Sequence, residues 1–282
     1  MALTHAPFDW FTRQELRKVL QGLPELSDAD GNAVILIGGQ AISFWGRYYD
    51  IAEPLTDSPA LTQDLDFKGG KTQARSLANS IGASIKLAGF DDATPNTALL
   101  IWEPSRTAKT APRRLMIDFL SGVLGVPDKE INKLAVPVQI EDLPVIRVMH
   151  PLHCMQSRFA NLAIISSKRD TNGIAQARMG VEIARRYVEK DAAMQSQSFV
   201  ARAMSKIMEI CTAPPAIFAF SEFGIDGIEA IDLSLLPLDH LFVLVEYPKL
   251  LKKLERKREI DAARRSGEIH LPKTQRSVFN KS

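Results

Sequence analysis

Asp64 and Asp66 stand two residues apart in the stretch LTQDLDF. In an extended strand, residues i and i+2 point to one face, so the two carboxylates project together. Adjacent carboxylates repel each other unless a cation neutralises them. Hard divalent cations take oxygen ligands, and Mg²⁺ commonly binds beside substrate phosphates. Upstream, the apolar run AVILI ends in Gly38-Gly39. Glycine allows a tight turn and a close backbone approach to a ligand. The first expectation is therefore a metal–phosphate site, with the glycine turn holding phosphates and the Asp pair holding metal.

A third acid joins them. Asp118 lies in RRLMIDFL, where Met116, Asp118 and Leu120 share one strand face and Leu115, Ile117 and Phe119 the other. An isolated carboxylate in so apolar a strand is costly and needs a partner or a metal. Neighbouring strands lie under about 5 Å apart. If these two strands pair, three carboxylates converge beside the glycine turn. That set suits two-metal phosphoryl or nucleotidyl transfer, with Asp118 nearest the attacking hydroxyl.

The elements that must position these residues follow from periodicity. Residues 8–24 read as an amphipathic helix through Phe11, Leu16, Val19, Leu20 and Leu23. Val34–Ile37 reads as a buried strand and Gln40–Tyr49 as a helix. Residues 50–60, with Pro54 and Pro59, read as loop, and 61–68 as the strand bearing the Asp pair. A helix over 71–82 should stop at Gly82. Strands are expected over 84–88, 98–102 and 113–120, and short ones near 136–140 and 145–148. After His150-Pro151 only helices are expected: 151–166, 174–189, 198–211, a break at Pro214-Pro215, then helix over 237–257 broken near Pro248. The fold class is thus α/β (α+β), a mixed sheet flanked by helices. Residues 1–149 form the strand-bearing domain, and 150–282 a helical domain with a basic C-terminal tail.

Composition is that of an ordinary globular protein: 282 residues, 45% hydrophobic and 24% charged. No apolar run is long enough to span a membrane, and the first residues lack the pattern of a secretory signal. Two cysteines, Cys154 and Cys211, make no disulfide framework, so a reducing cytoplasm is the expected location. His153 beside Cys154 lacks structural-zinc spacing, and both read as packing residues. Net charge is +2, from 35 basic and 33 acidic side chains. Eleven of the basic and four of the acidic ones lie from Lys249 onward, leaving 24 and 29 in the rest. A basic tail on an acidic body suggests an RNA or DNA partner; a solvated helix gives the same pattern.

Three segments together resemble a known family. They are Gly38-Gly39, Thr62-x-Asp64-Leu65-Asp66, and Ile117-Asp118-Phe119-Leu120-Ser121-Gly122. They look like the nucleotidyltransferase fold of the DNA polymerase β superfamily and, within it, like the AbiEii-type bacterial toxin nucleotidyltransferases. The resemblance covers residues 30–190. It implies a nucleotidyltransferase-like sheet, an NTP substrate, and Mg²⁺ (or Mn²⁺) held by Asp64, Asp66 and Asp118. It also implies transfer of NMP to RNA (tRNA in some members) or to protein, as the toxin of a toxin–antitoxin or abortive-infection system with a cognate antitoxin. Gly38, Gly39, Gln40 and Thr62 would cradle the nucleotide. Arg158 falls where the family carries Lys; it keeps the charge but cannot relay a proton. Lys168 and Asp170 would line the cleft from the helical side, and the second acid of the family's D-x-x-D falls on Gly173. Two other functions fit the same features: a non-catalytic nucleic-acid or protein binding module, and an antibiotic-modifying nucleotidyltransferase.

Overall fold

The strand bearing Asp118 shows how the chain folds. In β5 (Leu115–Leu120), Leu115, Ile117 and Phe119 are buried, while Met116, Asp118 and Leu120 face the other way. In β2 (Asp64–Lys68), Leu65 and Phe67 are buried and Asp66 and Lys68 are only half-buried. Each buried Leu, Ile or Phe contributes about 1.5–3 kcal/mol. A one-residue slip would turn all of them outward. The apolar set therefore fixes the register, and the register fixes the acids.

The computed structural model describes residues 13–23, 31–51, 64–89, 96–104, 114–139 and 144–267. Thr62, the side chains of Asp64 and Leu16, most of the expected 50–60 loop, and the tail beyond Gly267 lie outside it. The remaining strands are β1 (Ile35–Leu36), β3 (Ser84–Leu87), β4 (Asn96–Trp102), β6 (Val136–Val138) and β7 (Ile146–Val148). The described strands form one mixed sheet in the order β3-β4-β5-β2-β1-β7-β6. β2 pairs in parallel with β5, and β1 with β7; the other pairs are antiparallel. The mixed α/β architecture expected from the sequence is observed.

Among the helices, α1 (Arg13–Gln21) packs near α3 (Lys71–Ile81). α3 ends where expected, with Gly82 in the left-handed conformation (φ 72°). α2 (Gly38–Tyr48) starts two residues earlier than expected, at the glycine pair itself. A short helix, α4 (Asp128–Leu134), was not expected, because Ile131 is its one buried side chain and leaves no apolar period to read.

Every described element from Pro151 on is helical: α5 (Pro151–Ile164), α6 (Thr171–Tyr187), α7 (Gln197–Cys211), α8 (Pro214–Phe223) and α9 (Tyr247–Arg265), with short 3₁₀ and π turns between them. The run breaks after Cys211, as expected, and Pro214-Pro215 then opens α8, since a first-turn proline loses no helical hydrogen bond. Pro248 likewise sits in the first turn of α9, and the turn before it, Phe242–Glu246, widens to π geometry. One hydrophobic core runs from the sheet (Ile35, Phe67, Ile117) into the helices (Met155, Phe159, Ala184). Cys154 and Cys211 are buried free thiols, and burial pushes both up to about 12. No helix among the described residues is long and apolar enough to cross a membrane.

Candidate functional site

Asp66 and Asp118 sit directly opposite each other across the parallel β2–β5 pair. Both line a cavity of about 800 Å³, within the range of small-molecule sites. The backbone of Asp64 pairs in register with Met116 at the start of β2.

The glycine turn closes on this pair. Gly38 has φ 68°, and a Cβ placed on it would lie 1.9 Å from Asp66 Oδ2. Only glycine lets the carboxylate rest against the start of α2. Backbone pairing ties the two segments: Ile37 N–H donates to Asp66 O at 2.9 Å, and Met149 N–H to Leu36 O at 2.9 Å. Gly38 and Gly39 both line the cavity. The first N–H groups of a helix lack intrahelical acceptors and carry the positive end of its dipole, which suits phosphate. Gln40 follows but turns inward, 1% exposed, and is not in the cavity wall.

The opposite wall comes from α5, α6 and the link between them. Arg158 lines the cavity although only 7% of it is exposed. Its Nη1 donates to Gln176 Oε1 of α6 at 2.7 Å. Its Nε is buried without a hydrogen-bond partner among the described residues. Burial pulls the guanidinium down from its ordinary value, while the nearby Cys154 and Asp66 oppose that shift. Lys168, in the turn Ser166–Lys168, is exposed and lines the same cavity.

Asp170 lies elsewhere. It caps α6, its Oδ1 accepting from Gly173 N–H at 2.7 Å, and it is not in the cavity wall. Gly173 explains the missing second acid of the D-x-x-D pattern: a Cβ there would lie 1.8 Å from Lys168 O. An aspartate at 173 does not fit this cap. His153 and Cys154 are buried, as expected of packing residues. His153 Nε2 lies 3.6 Å from Glu130, which also pairs with Lys206.

Sequence reasoning missed Asn161, Gln176, Ser121 and Asp128, all in the cavity wall. Asn161 follows Arg158 by three residues on one helix, a spacing that puts both on one face and was available to read. Gln176 and Asp128 reach the cavity only through tertiary packing. The basic C-terminal run also divides. Arg258 is fixed by Asp226 at 2.5 Å and stacks on Phe220, and Lys257 donates to Thr212 O at 2.6 Å. Lys249, Lys252, Lys253 and Arg256 remain exposed.

Two carboxylates facing each other across a strand pair, in a cavity that also presents helix N–H groups and cations, are a donor set that fits a hard divalent ion. Mg²⁺ typically takes one or two protein carboxylates and completes its shell with water and phosphate. Among the described residues no third His, Cys, Asp or Glu side chain joins the pair.

No protein-family model and no curated protein matches this chain. Two solved structures from Helicobacter pylori are similar to it. One is JHP933, 14% identical over 89% of this chain and 94% of its own, with a TM-score of 0.36. The other bears the provisional name nucleotidyltransferase and is 12% identical over 87% of this chain and 98% of its own, with a TM-score of 0.35.

Proposed function

We propose that this chain is a nucleotidyltransferase that moves a nucleoside monophosphate from an NTP to a hydroxyl acceptor. One observation carries the reading: Asp66 and Asp118 oppose each other in the cavity that the Gly38-Gly39 helix start and Arg158 also face. Carboxylates, free N–H groups and a buried guanidinium converge there, as a bound metal–triphosphate requires.

In this reading the cleft lies between a catalytic part, 1–149, and a helical part, 150–282. The triphosphate lies along the N–H groups of Gly38 and Gly39, with Arg158 and Lys168 taking its outer oxygens. Asp66 and Asp118, with Asp64 beside them, would hold Mg²⁺ or Mn²⁺, which when bound supplies Lewis-acid stabilisation of the phosphoryl oxygens. Asp118 orients the acceptor hydroxyl and draws on its proton as the oxygen attacks the α-phosphorus. The bond from that phosphorus to the bridging oxygen breaks, and pyrophosphate leaves toward Arg158 and Lys168. Arg158 is a fixed cation here and not a proton relay, because a guanidinium stays protonated.

The acceptor follows from the resemblance to toxin nucleotidyltransferases: RNA, tRNA in particular, with a cognate antitoxin and a cytoplasmic setting. The exposed Lys249, Lys252, Lys253 and Arg256 give a polyanion a second contact. The test is incubation with each α-labelled NTP and Mg²⁺ in the presence of total cellular RNA and protein. Label in RNA that disappears in Asp66→Ala supports the reading. Equal labelling by wild type and Asp66→Ala would sink it.

A further inference from the structure

The cavity wall changes character along α5. Arg158, Asn161 and Ile164 line it from one face of α5, and Ile165, the extended residue that ends the helix, lines it too, so this wall runs from a guanidinium through an amide to two aliphatic side chains. The turn Val123–Val126 packs on the same helix and contributes Val123, Leu124 and Val126 to the cavity. Leu124 is 37% and Ile164 60% exposed, so both apolar side chains are open to a ligand in the cavity. The turn is held firmly against α5. Gly125 has φ 79°, and a Cβ on it would lie 2.4 Å from Ala160 Cβ. Gln156 Nε2 donates to Gly125 O at 2.6 Å. The turn that carries Leu124 is therefore fixed on α5 before any ligand arrives.

We infer that this aliphatic end is the nucleobase pocket and that Asn161 reads the base edge. The inference rests on the nucleotidyltransferase reading above and says which residues set the choice of NTP. No aromatic residue lines the cavity among those described. A base there is gripped by aliphatic faces, which accept any flat ring and discriminate little. Discrimination must come from hydrogen bonds, and a side-chain amide offers both a donor and an acceptor to a base edge. Of the two amides at the helix wall, Gln176 is engaged: its Oε1 accepts from Arg158 and its Nε2 reaches Asn172 Oδ1 at 3.4 Å. Asn161 lies one helical turn from the cation and one turn from the aliphatic pair, where the base would join the sugar and triphosphate.

The experiment is equilibrium titration with ATP, CTP, GTP, UTP and inorganic tripolyphosphate, each with Mg²⁺. Wild type, Asn161→Ala and Leu124→Ser are compared, with thermal midpoints to confirm folding. Wild type should prefer one base by about tenfold or more, as sites that hydrogen-bond their substrate do. Asn161→Ala should flatten that preference to within about threefold while tripolyphosphate affinity is unchanged. Leu124→Ser should weaken all four NTPs alike and leave tripolyphosphate unaffected. The inference is overturned if wild type binds all four NTPs equally. It is also overturned if Asn161→Ala keeps the base ranking, or if that variant loses tripolyphosphate along with NTP. Failure of wild type to bind any NTP or tripolyphosphate is a different result: it removes the nucleotidyltransferase reading itself, and the inference with it.

Discussion

The two walls of the cavity place their charges in different ways. On the strand wall, Asp66 and Asp118 are set by backbone pairing, since β2 and β5 are locked by five consecutive register pairs, Asp64–Met116 to Lys68–Leu120. On the helix wall, Arg158 is set by side-chain packing: a long side chain buried between α5 and α6, with one hydrogen bond to a neutral amide. The first arrangement tolerates a change of side chain, because the backbone stays. The second does not, because the side chain is part of the packing. Substitutions on the two walls should therefore divide cleanly between function and stability.

The strand wall gives the largest functional effect. Asp66→Asn or Asp118→Asn should cut NMP transfer by about a thousandfold, the several kcal/mol of charge stabilisation that a carboxylate–metal site supplies. Stability should change little, because the buried faces of β2 and β5 that hold the two positions keep their packing. Single-turnover labelling and urea unfolding measure the two quantities separately. A large loss of stability with activity retained would reverse the contrast between the walls.

Gly38→Ala attacks the joint between the strand wall and the helix start. Its Cβ would meet Asp66 Oδ2, and the residue would hold a left-handed φ of 68°. Such strain costs about 1–3 kcal/mol, and the displaced carboxylate should lower transfer as well. A wild-type unfolding midpoint for this variant would mean that the contact is softer than its geometry implies.

On the helix wall, Arg158→Met should weaken NTP binding and also destabilise the fold, because Gln176 Oε1 loses its donor in a buried setting. Losing a hydrogen bond from a charged donor costs about 1.5–3 kcal/mol. Arg158→Lys should recover part of the binding through charge, but not the geometry. If Arg158→Met changed affinity with no change in stability, Arg158 would belong with the strand acids after all.

The start of α5, the helix that carries Arg158, should also be acid-sensitive. His150 caps α5, its Nδ1 accepting from Leu152 N–H at 3.2 Å, which only the unprotonated nitrogen can do. Its ring packs on Tyr187, and burial, with His153 adding to it, holds its pKa at about 3 against an ordinary 6.5. Between those values the unfolded chain binds the extra proton. Stability from this group is complete above pH 6.5 and declines as pH falls toward 3. Urea midpoints at pH 7.5 and 5.5 should show the loss, and His150→Asn, which caps without titrating, should reduce it. An unchanged slope in His150→Asn would assign the acid sensitivity to other groups.

The difference between the walls also explains what could be read from the sequence. Period-two alternation in LTQDLDF and RRLMIDFL displays both the buried set and the acids, since a strand's faces are visible from order alone. The glycine pair was legible as a turn, but not as the first residues of a helix pressed on Asp66. Gln176 and Asp128 could not be found, because only the packing of α6 and α4 brings them to the cavity. α4 itself has a single buried residue and no periodic signal. The prolines at 214 and 248 were legible as breaks but not as the first turns of new helices, where they lose no hydrogen bond.

Asp170 supplies the smallest and sharpest contrast. It lies two residues after Lys168, which faces the cavity, yet its own carboxylate is spent on Gly173 N–H. Asp170→Ala should cost about 1 kcal/mol, as loss of an N-cap does, and leave NTP affinity where it was. Asp170→Ser should restore most of the stability, since a hydroxyl also accepts from the helix N–H groups. A phosphate or metal role predicts the opposite pattern: Ala and Ser equally poor in binding, whatever their stability. Because Gly173 is closed off by Lys168 O, no second acid at that turn can compensate. The capping and ligand-binding roles therefore separate on this one pair of variants.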